Sequence, residues 1–150
     1  MALVYKKGNI LEATEDIICH QCNTEGTFGG GLAKQIASRY PKCELSSITH
    51  VKTLKNKCDV VGTYNFYFTN NDKNIVNCFT QDKDFNTNYE AIKFVFNDIL
   101  EYCSLFSHTI AIPYKYGCGI ANGDWNIVHK LFENLSNKYG VDIVVYQLED

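Results

Sequence analysis

Short strand-like segments alternate with helical segments along this sequence, and the alternation narrows the available folds more than any other feature. The clearest helical segment carries apolar residues at steps of three and four from Tyr89 to Phe106, which places them on one buried stripe. The pattern predicts an α/β fold of three layers, α/β/α, in which helices cover both faces of a mixed, mostly parallel central sheet. The predicted strands are residues 3–6, 16–22, 60–69, 74–79, 108–114 and 141–148.

Glycine, proline and capping residues predict where the elements begin and end. A second helix is predicted to begin at residues 29–31 and to end near Tyr40, with Pro41 as its stop. The turn-like residues 70–72 predict a hairpin, and residues 87–90 form a capping box before the long helix. A last helix is predicted to begin at Asp124 and to end at Gly140.

Length and composition predict one domain over residues 1–150 that needs no metal or cofactor to fold. The sequence is 45% apolar, which is enough for a core, and its formal net charge is −3. The seven cysteines, with no signal-like segment, predict a reduced cytoplasmic protein. No segment is apolar enough to cross a membrane, and the single arginine, Arg39, argues against nucleic acid as a partner. We expect a monomer.

Two glycine-rich loops follow predicted strands, and ligands of such sheets bind at the carboxyl ends of the strands. The first loop ends in Gly29, Gly30 and Gly31 at a helix start, where backbone amides without a side-chain cap can bind an anion. The second contains Gly117, Cys118 and Gly119 before the last helix. Two such loops at one sheet edge can hold the two phosphates of a diphosphate, and the alternative is that the glycines only permit tight packing.

Three other features have competing interpretations. Cys19 and Cys22 form a C-x-x-C spacing, but the pair lies in a strand and no second pair completes a zinc site. His20, at the carboxyl end of the same strand, is a candidate catalytic residue or a packed core histidine. Asp124 is a candidate general base or the cap of the last helix.

Together these segments resemble a macro domain, and the resemblance runs from residue 7 to residue 148. The densest match is residues 22–42, which are similar to the branch of ADP-ribose-1″-phosphate phosphatases. The segment Gly117-Cys118-Gly119 is similar to the branch of terminal ADP-ribose protein glycohydrolases. The resemblance implies ADP-ribose or a derivative as the ligand.

The resemblance also implies a role for individual residues. Asn9, Ile10 and Leu148 match positions at the adenine end, and Asn23 matches a residue that meets the distal ribose. Residues 29–31 match the loop near that ribose and its phosphate. Gly117, Cys118, Gly119 and Ile120 match the diphosphate loop, and Lys115, Tyr116 and Ala121 beside them are further candidate ligand-binding residues.

Three positions depart from the family pattern. Many macro domains have Asp where this sequence has Asn9, a neutral acceptor. Gln81 stands where the glycohydrolase branch has a lysine that forms a covalent adduct, and Lys83 is out of register. Ala121 stands where that branch has Asp. Glutamine cannot form such an adduct, so the covalent-lysine mechanism is not expected.

Three functions follow from the resemblance. The first is hydrolysis of ADP-ribose-1″-phosphate to ADP-ribose and phosphate, in which His20 or Asp124 orients or deprotonates water. The second is hydrolysis of an ester at the distal ribose, in O-acetyl-ADP-ribose or in an ADP-ribosylated protein. The third is a reader that binds ADP-ribose without turnover.

Overall fold

The computed structural model describes residues 2–71 and 73–148, and it forms three layers around one six-stranded sheet. The strands are β1 (Leu3–Lys7), β2 (Ile17–Cys22), β3 (Thr63–Phe68), β4 (Asn74–Phe79), β5 (Ile110–Pro113) and β6 (Ile143–Gln147). Their order in the sheet is β1-β6-β5-β2-β4-β3, with only β3 antiparallel to its neighbour. The predicted mixed, mostly parallel sheet is therefore confirmed.

Helices cover both faces of the sheet. The helices are α1 (Gly31–Arg39), α2 (Pro41–Lys52), α3 (Lys57–Val60), α4 (Tyr89–Phe106) and α5 (Trp125–Tyr139), and a 3₁₀ turn spans Ile10–Glu12. One face of the sheet packs against α4 and α5, where Phe96 of α4 and Phe132 of α5 contact the buried ring of Tyr116. The other face packs against α1, α2 and α3, which contribute Ile36 and other residues to a second core.

Several predicted boundaries need correction. Pro41 ends α1 as predicted, but it also begins α2 at its first position, where its missing N–H costs no hydrogen bond. The predicted strand from residue 60 begins at Thr63, because Val60 closes α3. The first part of the stripe on α4 is buried, whereas Phe106, at its end, is 62% exposed.

The predicted N-cap of α4, the first residue of the capping box, is also displaced by one residue. Asn88 is the N-cap, and its side chain accepts a hydrogen bond from the amide of Ala91 at 2.9 Å. Asp124 and Gly140 flank α5 as predicted, with Gly140 at a φ of 63°. The predicted hairpin joins β3 to β4, and the amide of Thr69 donates to the carbonyl of Lys73. Asp72 lies outside the described residues.

Cys19 and Cys22 lie on opposite faces of β2, because residues three apart in a strand point in opposite directions. Cys19 belongs to the core under α4 and α5, and Cys22 belongs to the core under α1 and α2. Burial raises the pKa of both thiols well above the usual range. This geometry does not form a redox pair, and both cysteines act as small buried apolar residues.

No helix in the described part of the chain is long and apolar enough to cross a membrane.

Candidate functional site

A continuous cleft follows the carboxyl ends of the parallel strands. It consists of three adjoining cavities of about 340, 320 and 340 Å³, which we term the first, middle and distal cavities. The first and middle cavities share Gly31 and Leu32, and the middle and distal cavities share Gly30, Gln81 and Ile120. An extended ligand can therefore lie across all three.

The N-terminus of α1 faces this cleft without a cap. Gly30 is the N-cap, and it has no side chain to satisfy the first amides of the helix. Gly31 has a φ of +59°, a conformation that favours glycine. Gly31, Leu32 and Ala33 form the first turn and line the cavities. This arrangement provides the free donors and the positive end of the helix dipole that bind anions.

The loop between β5 and α5 forms the opposite wall and is closed by its own hydrogen bonds. The amide of Gly123 donates to the carbonyl of Gly117 at 2.9 Å, and the amide of Cys118 donates to the carbonyl of Lys115 at 2.8 Å. A Cβ at Gly123 would lie 2.3 Å from the Gly117 carbonyl oxygen. Gly117 has a φ of +71°, and a Cβ there would lie 2.8 Å from the Thr87 hydroxyl oxygen. These two glycines are required by the packing of the loop itself.

The lining of the cleft is more positive than the protein as a whole. Among the described residues that line the three cavities, Lys115 is the one charged side chain, and none is a carboxylate. The net charge of the protein is −3. Within residues 2–71 and 73–148, the potential of the cleft is therefore set by backbone amides and one ammonium group.

The fold and the cleft can be compared with known proteins. No protein family profile matches the chain. The ADP-ribose 1″-phosphate phosphatase of Saccharomyces cerevisiae is 38% identical over 68 residues, which cover 41% of this chain and 38% of that protein. An uncharacterised 17.5 kDa protein of Enterobacteria phage T4 is 28% identical over 98% of both chains.

Solved structures match nearly the full chain. The macrodomain of Mycobacterium tuberculosis DarG superposes with a TM-score of 0.82 at 22% identity over 96% of both chains. Thermosipho africanus DarTG in complex with ADP-ribose superposes with a TM-score of 0.81 at 20% identity over 99% of this chain and 42% of that one.

The chain has the macro domain fold.

The residues matched to the macro domain family line different parts of the cleft, and their contacts with a ligand stay predictions. Gly31, matched to the loop near the distal ribose, lines the first and middle cavities. Asn9, Ile10 and Leu148 line the first cavity. Lys115, Tyr116, Gly117, Gly119, Ile120 and Ala121 line the middle cavity. Asn23 and Gly29 line the distal cavity. Cys118 alone of the matched loop lines none of the three, and its thiol points to the carbonyl of Tyr116 at 3.2 Å.

The two asparagines matched to the family, Asn9 and Asn23, already have hydrogen-bond partners in the protein. Asn9 caps the 3₁₀ turn, and its Oδ1 accepts from the amide of Leu11 at 2.9 Å. Asn23 accepts from the amides of Glu25 and Gly26 and donates to the carbonyl of Thr27. Asn23 therefore shapes the loop between β2 and α1, and its role toward a ribose stays a prediction.

His20 lies beneath the middle cavity in the packed environment that the sequence left open as an alternative. It reaches the cavity floor, but only 1% of its surface is exposed. Its ring packs edge-on against Phe28 at 5.0 Å between centroids. Burial lowers the pKa of His20 to about 4, although its hydrogen bond to Asn77 partly opposes the shift. The imidazole is neutral at physiological pH, and its catalytic role stays a prediction.

Asp124 is the N-cap of α5 and lines none of the three cavities. Its Oδ1 accepts from the amide of Asn126 at 2.9 Å, and its own amide donates to the hydroxyl of Tyr89. The carboxylate is exposed to solvent. The helix-capping interpretation is therefore satisfied, and a catalytic role for Asp124 stays a prediction.

Tyr116 and Ala121 are buried and contact the interior of the protein as well as the cleft. Tyr116 is 1% exposed, and its hydroxyl hydrogen-bonds to that of Thr80 at 2.8 Å inside the core. Ala121 is buried, and its carbonyl accepts from the amide of Thr87 at 3.0 Å. Ile120, in contrast, is 86% exposed and lies over the cleft near Gly30.

Sequence reasoning missed two residues that line the cleft, Gln21 and Phe85, and one that contacts its lining residues, Thr87. Gln21 and Thr87 join the loops at the ends of β2, β4 and β5 by hydrogen bonds. Phe85 lines the distal cavity at a φ of +66°. Gln21 could have been found from the sequence, because it lies near the end of a buried strand beside the first glycine loop. Thr87 and Phe85 could not have been found in this way, because their contacts are with residues distant in sequence.

Proposed function

We propose that this cleft binds ADP-ribose or a close derivative and that the protein hydrolyses ADP-ribose-1″-phosphate to ADP-ribose and phosphate. The observation that carries the proposal is a cleft that contains the uncapped N-terminus of α1 and whose described lining residues include no carboxylate. Such a site favours an extended ligand with several phosphate charges. The ADP-ribose complex among the structural neighbours and the phosphatase among the curated relatives support the ligand class and the reaction.

The geometry suggests how the ligand would lie. The first cavity has an apolar wall formed by Ile10 and the ring of Tyr146, which suits a purine base. The middle cavity offers the loop of residues 115–121 to a diphosphate. The distal cavity then receives the second ribose and its phosphate, next to the amides that begin α1.

Charge stabilisation is the main chemical contribution that this site can make. Water attacks phosphorus, and backbone amides at the start of α1, where Gly30 and Ala33 line the distal cavity, stabilise the charge that develops on the phosphate oxygens. His20 and Asp124 are the general bases proposed from the sequence. Replacing each with alanine tests them, and unchanged turnover in the double variant would remove both from the mechanism.

Calorimetry with ADP-ribose, followed by a phosphate-release assay on ADP-ribose-1″-phosphate with the same protein, tests the proposal. Micromolar binding together with phosphate release is the expected result. Binding without release would reject the phosphatase activity and keep the ligand. A lack of binding would reject both.

An ester hydrolase is a second candidate, and the rim of the distal cavity favours it. Phe85 and Ile120 are 45% and 86% exposed there, and apolar side chains at an open rim suit an acyl group or a modified protein chain. An ADP-ribosylated glutamyl protein that keeps all its label during incubation would contradict this candidate.

A reader without turnover is the third candidate. It is favoured by the burial of His20 and by the position of Asp124 outside the three cavities, because neither side chain is then exposed within the cleft. Tight binding of ADP-ribose with no hydrolysis of any of these substrates is the result that supports it.

A further inference from the structure

Gln81 follows β4 at the carboxyl edge of the sheet, and its backbone is held in place. It pairs with Thr87 in an isolated antiparallel bridge that closes the loop of residues 81–87. The amide of Asn88 also donates to the carbonyl of Thr80 at 2.8 Å. The side chain of Gln81 lines both the middle and the distal cavities, so it stands where the two meet.

The orientation of the Gln81 amide follows from its neighbours. Nε2 of Gln21 donates to the carbonyl of Thr80 at 3.4 Å, a group that can only accept, and to the hydroxyls of Thr80 and Thr87 at 3.1 and 3.2 Å. The Oε1 of Gln21 must then face Gln81, which donates to it through Nε2 at 3.0 Å. The Oε1 of Gln81 has no hydrogen-bond partner within residues 2–71 and 73–148.

Gln81 lines two cavities that also contain hydrogen-bond donors without a partner. The uncapped start of α1, with Gly30 and Ala33, lines the same two cavities. A phosphate held by those amides has no favourable contact with a carbonyl oxygen, since both are acceptors. A water molecule can donate to the carbonyl oxygen and still direct a lone pair at phosphorus.

We propose that Gln81 orients the attacking water in the hydrolysis of ADP-ribose-1″-phosphate and that Gln21 is its positioning residue. This inference rests on the proposed function. The water oxygen forms a new bond to phosphorus, and the bond between phosphorus and the 1″ oxygen breaks. The electron pair goes to that oxygen, which takes up one of the two water protons by way of a phosphate oxygen, and the other water proton stays in the phosphate product. Gln81 orients the water and accepts no proton in the net reaction, so the products are ADP-ribose and hydrogen phosphate.

The test compares the wild-type protein with Gln81→Ala by steady-state phosphate release and by calorimetry with ADP-ribose. We expect kcat to fall by about 10²-fold, the cost of a misplaced reactant, while the Kd for ADP-ribose changes less than about threefold. Gln21→Leu should lower kcat in the same direction. The double variant should be no worse than Gln81→Ala, because residues that act as one unit are not additive.

Lys83→Ala is the matched control, since Lys83 is exposed in the same loop and lines none of the three cavities. Its kcat should match that of the wild type, and the melting temperatures should show that all variants fold. A Gln81→Ala protein with normal kcat, or one whose defect lies entirely in KM and Kd, would overturn the water-orienting role alone. A wild-type protein that binds ADP-ribose but releases no phosphate would instead overturn the proposed function and this role with it.

Discussion

The Nε2 atom of His20 lies 2.6 Å from the Oδ1 atom of Asn77 on the neighbouring strand, beneath the floor of the cleft. Nδ2 of Asn77 donates to Asn65 at 3.1 Å, which fixes the Asn77 oxygen toward His20. His20 therefore donates to Asn77 as a neutral ring. The pair ties β2 to β4 directly behind the site and belongs to the core.

This burial makes stability depend on pH. The pKa of His20 is lowered from 6.5 to about 4 in the folded protein, so below pH 6.5 the unfolded chain binds a proton that the folded protein does not. The contribution to stability is complete above pH 6.5 and is lost as the pH falls toward 4. We expect a loss of up to about 3 kcal/mol in the free energy of unfolding over this range.

Urea unfolding at pH 7 and pH 4.5 measures this dependence. His20→Gln should flatten it, because glutamine can donate to Asn77 and does not titrate. His129→Gln is the control, since that side chain is about one third exposed on α5. If wild-type and His20→Gln proteins lose the same stability on acidification, the buried imidazole is not the source.

Gly30→Ala should weaken ligand binding without unfolding the protein. Gly30 has a φ of −163°, which any residue adopts, and the nearest atom to an added Cβ is Cδ1 of Ile120 at 3.9 Å. The methyl group would therefore enter the cleft. We expect binding of ADP-ribose, measured by calorimetry, to weaken about tenfold or more, the scale of an overpacked contact.

The melting temperature of Gly30→Ala provides the control. The free energy of unfolding should change by less than about 1 kcal/mol, because alanine also reduces the entropy of the unfolded chain. Unchanged affinity in a folded variant would mean that the ligand does not approach the start of α1.

Ile120→Ala should lower affinity while leaving stability unchanged. The side chain is 86% exposed in the absence of ligand, so truncation removes no core contact. If a bound ligand covers it, the loss of three carbon atoms should weaken binding by about fivefold to thirtyfold. Ile127→Ala on α5, 45% exposed and outside the three cavities, should bind as the wild type does. Equal affinities of the two variants would place Ile120 outside the ligand contact.

Lys115→Ala should reduce affinity in a manner that depends on salt. Lys115 is the one charged side chain among the described residues of the cleft lining, and the phosphates of the ligand are expected within its reach. We expect binding to weaken about threefold to tenfold at 20 mM salt, and the difference to shrink at 500 mM as the charges are screened. Lys130→Ala on the exposed face of α5 should show no such difference. A loss of affinity that does not change with salt would indicate a role in shaping the loop.

The sequence by itself determined the layers of the fold, and it predicted the edge of the sheet at which a ligand would bind. Apolar periodicity depends on which face of an element is buried, and this pattern is local, so the stripe of α4 and the alternation of strands could be read directly. The glycines at residues 29–31 likewise report a backbone requirement at their own positions. The resemblance to macro domains extended this reading to a prediction of which residues contact the ligand.

Only the tertiary structure decided which polar groups face the cleft. His20 and Gln21 are neighbours in β2, yet the pleat buries the first against Asn77 and turns the second toward Gln81. The capping-box pattern predicts Thr87 as the start of a helix, but its hydroxyl donates to the carbonyl of Gly117 on another loop. Hydrogen bonds between residues dozens of positions apart depend on the packing of the whole chain, and no local pattern records them.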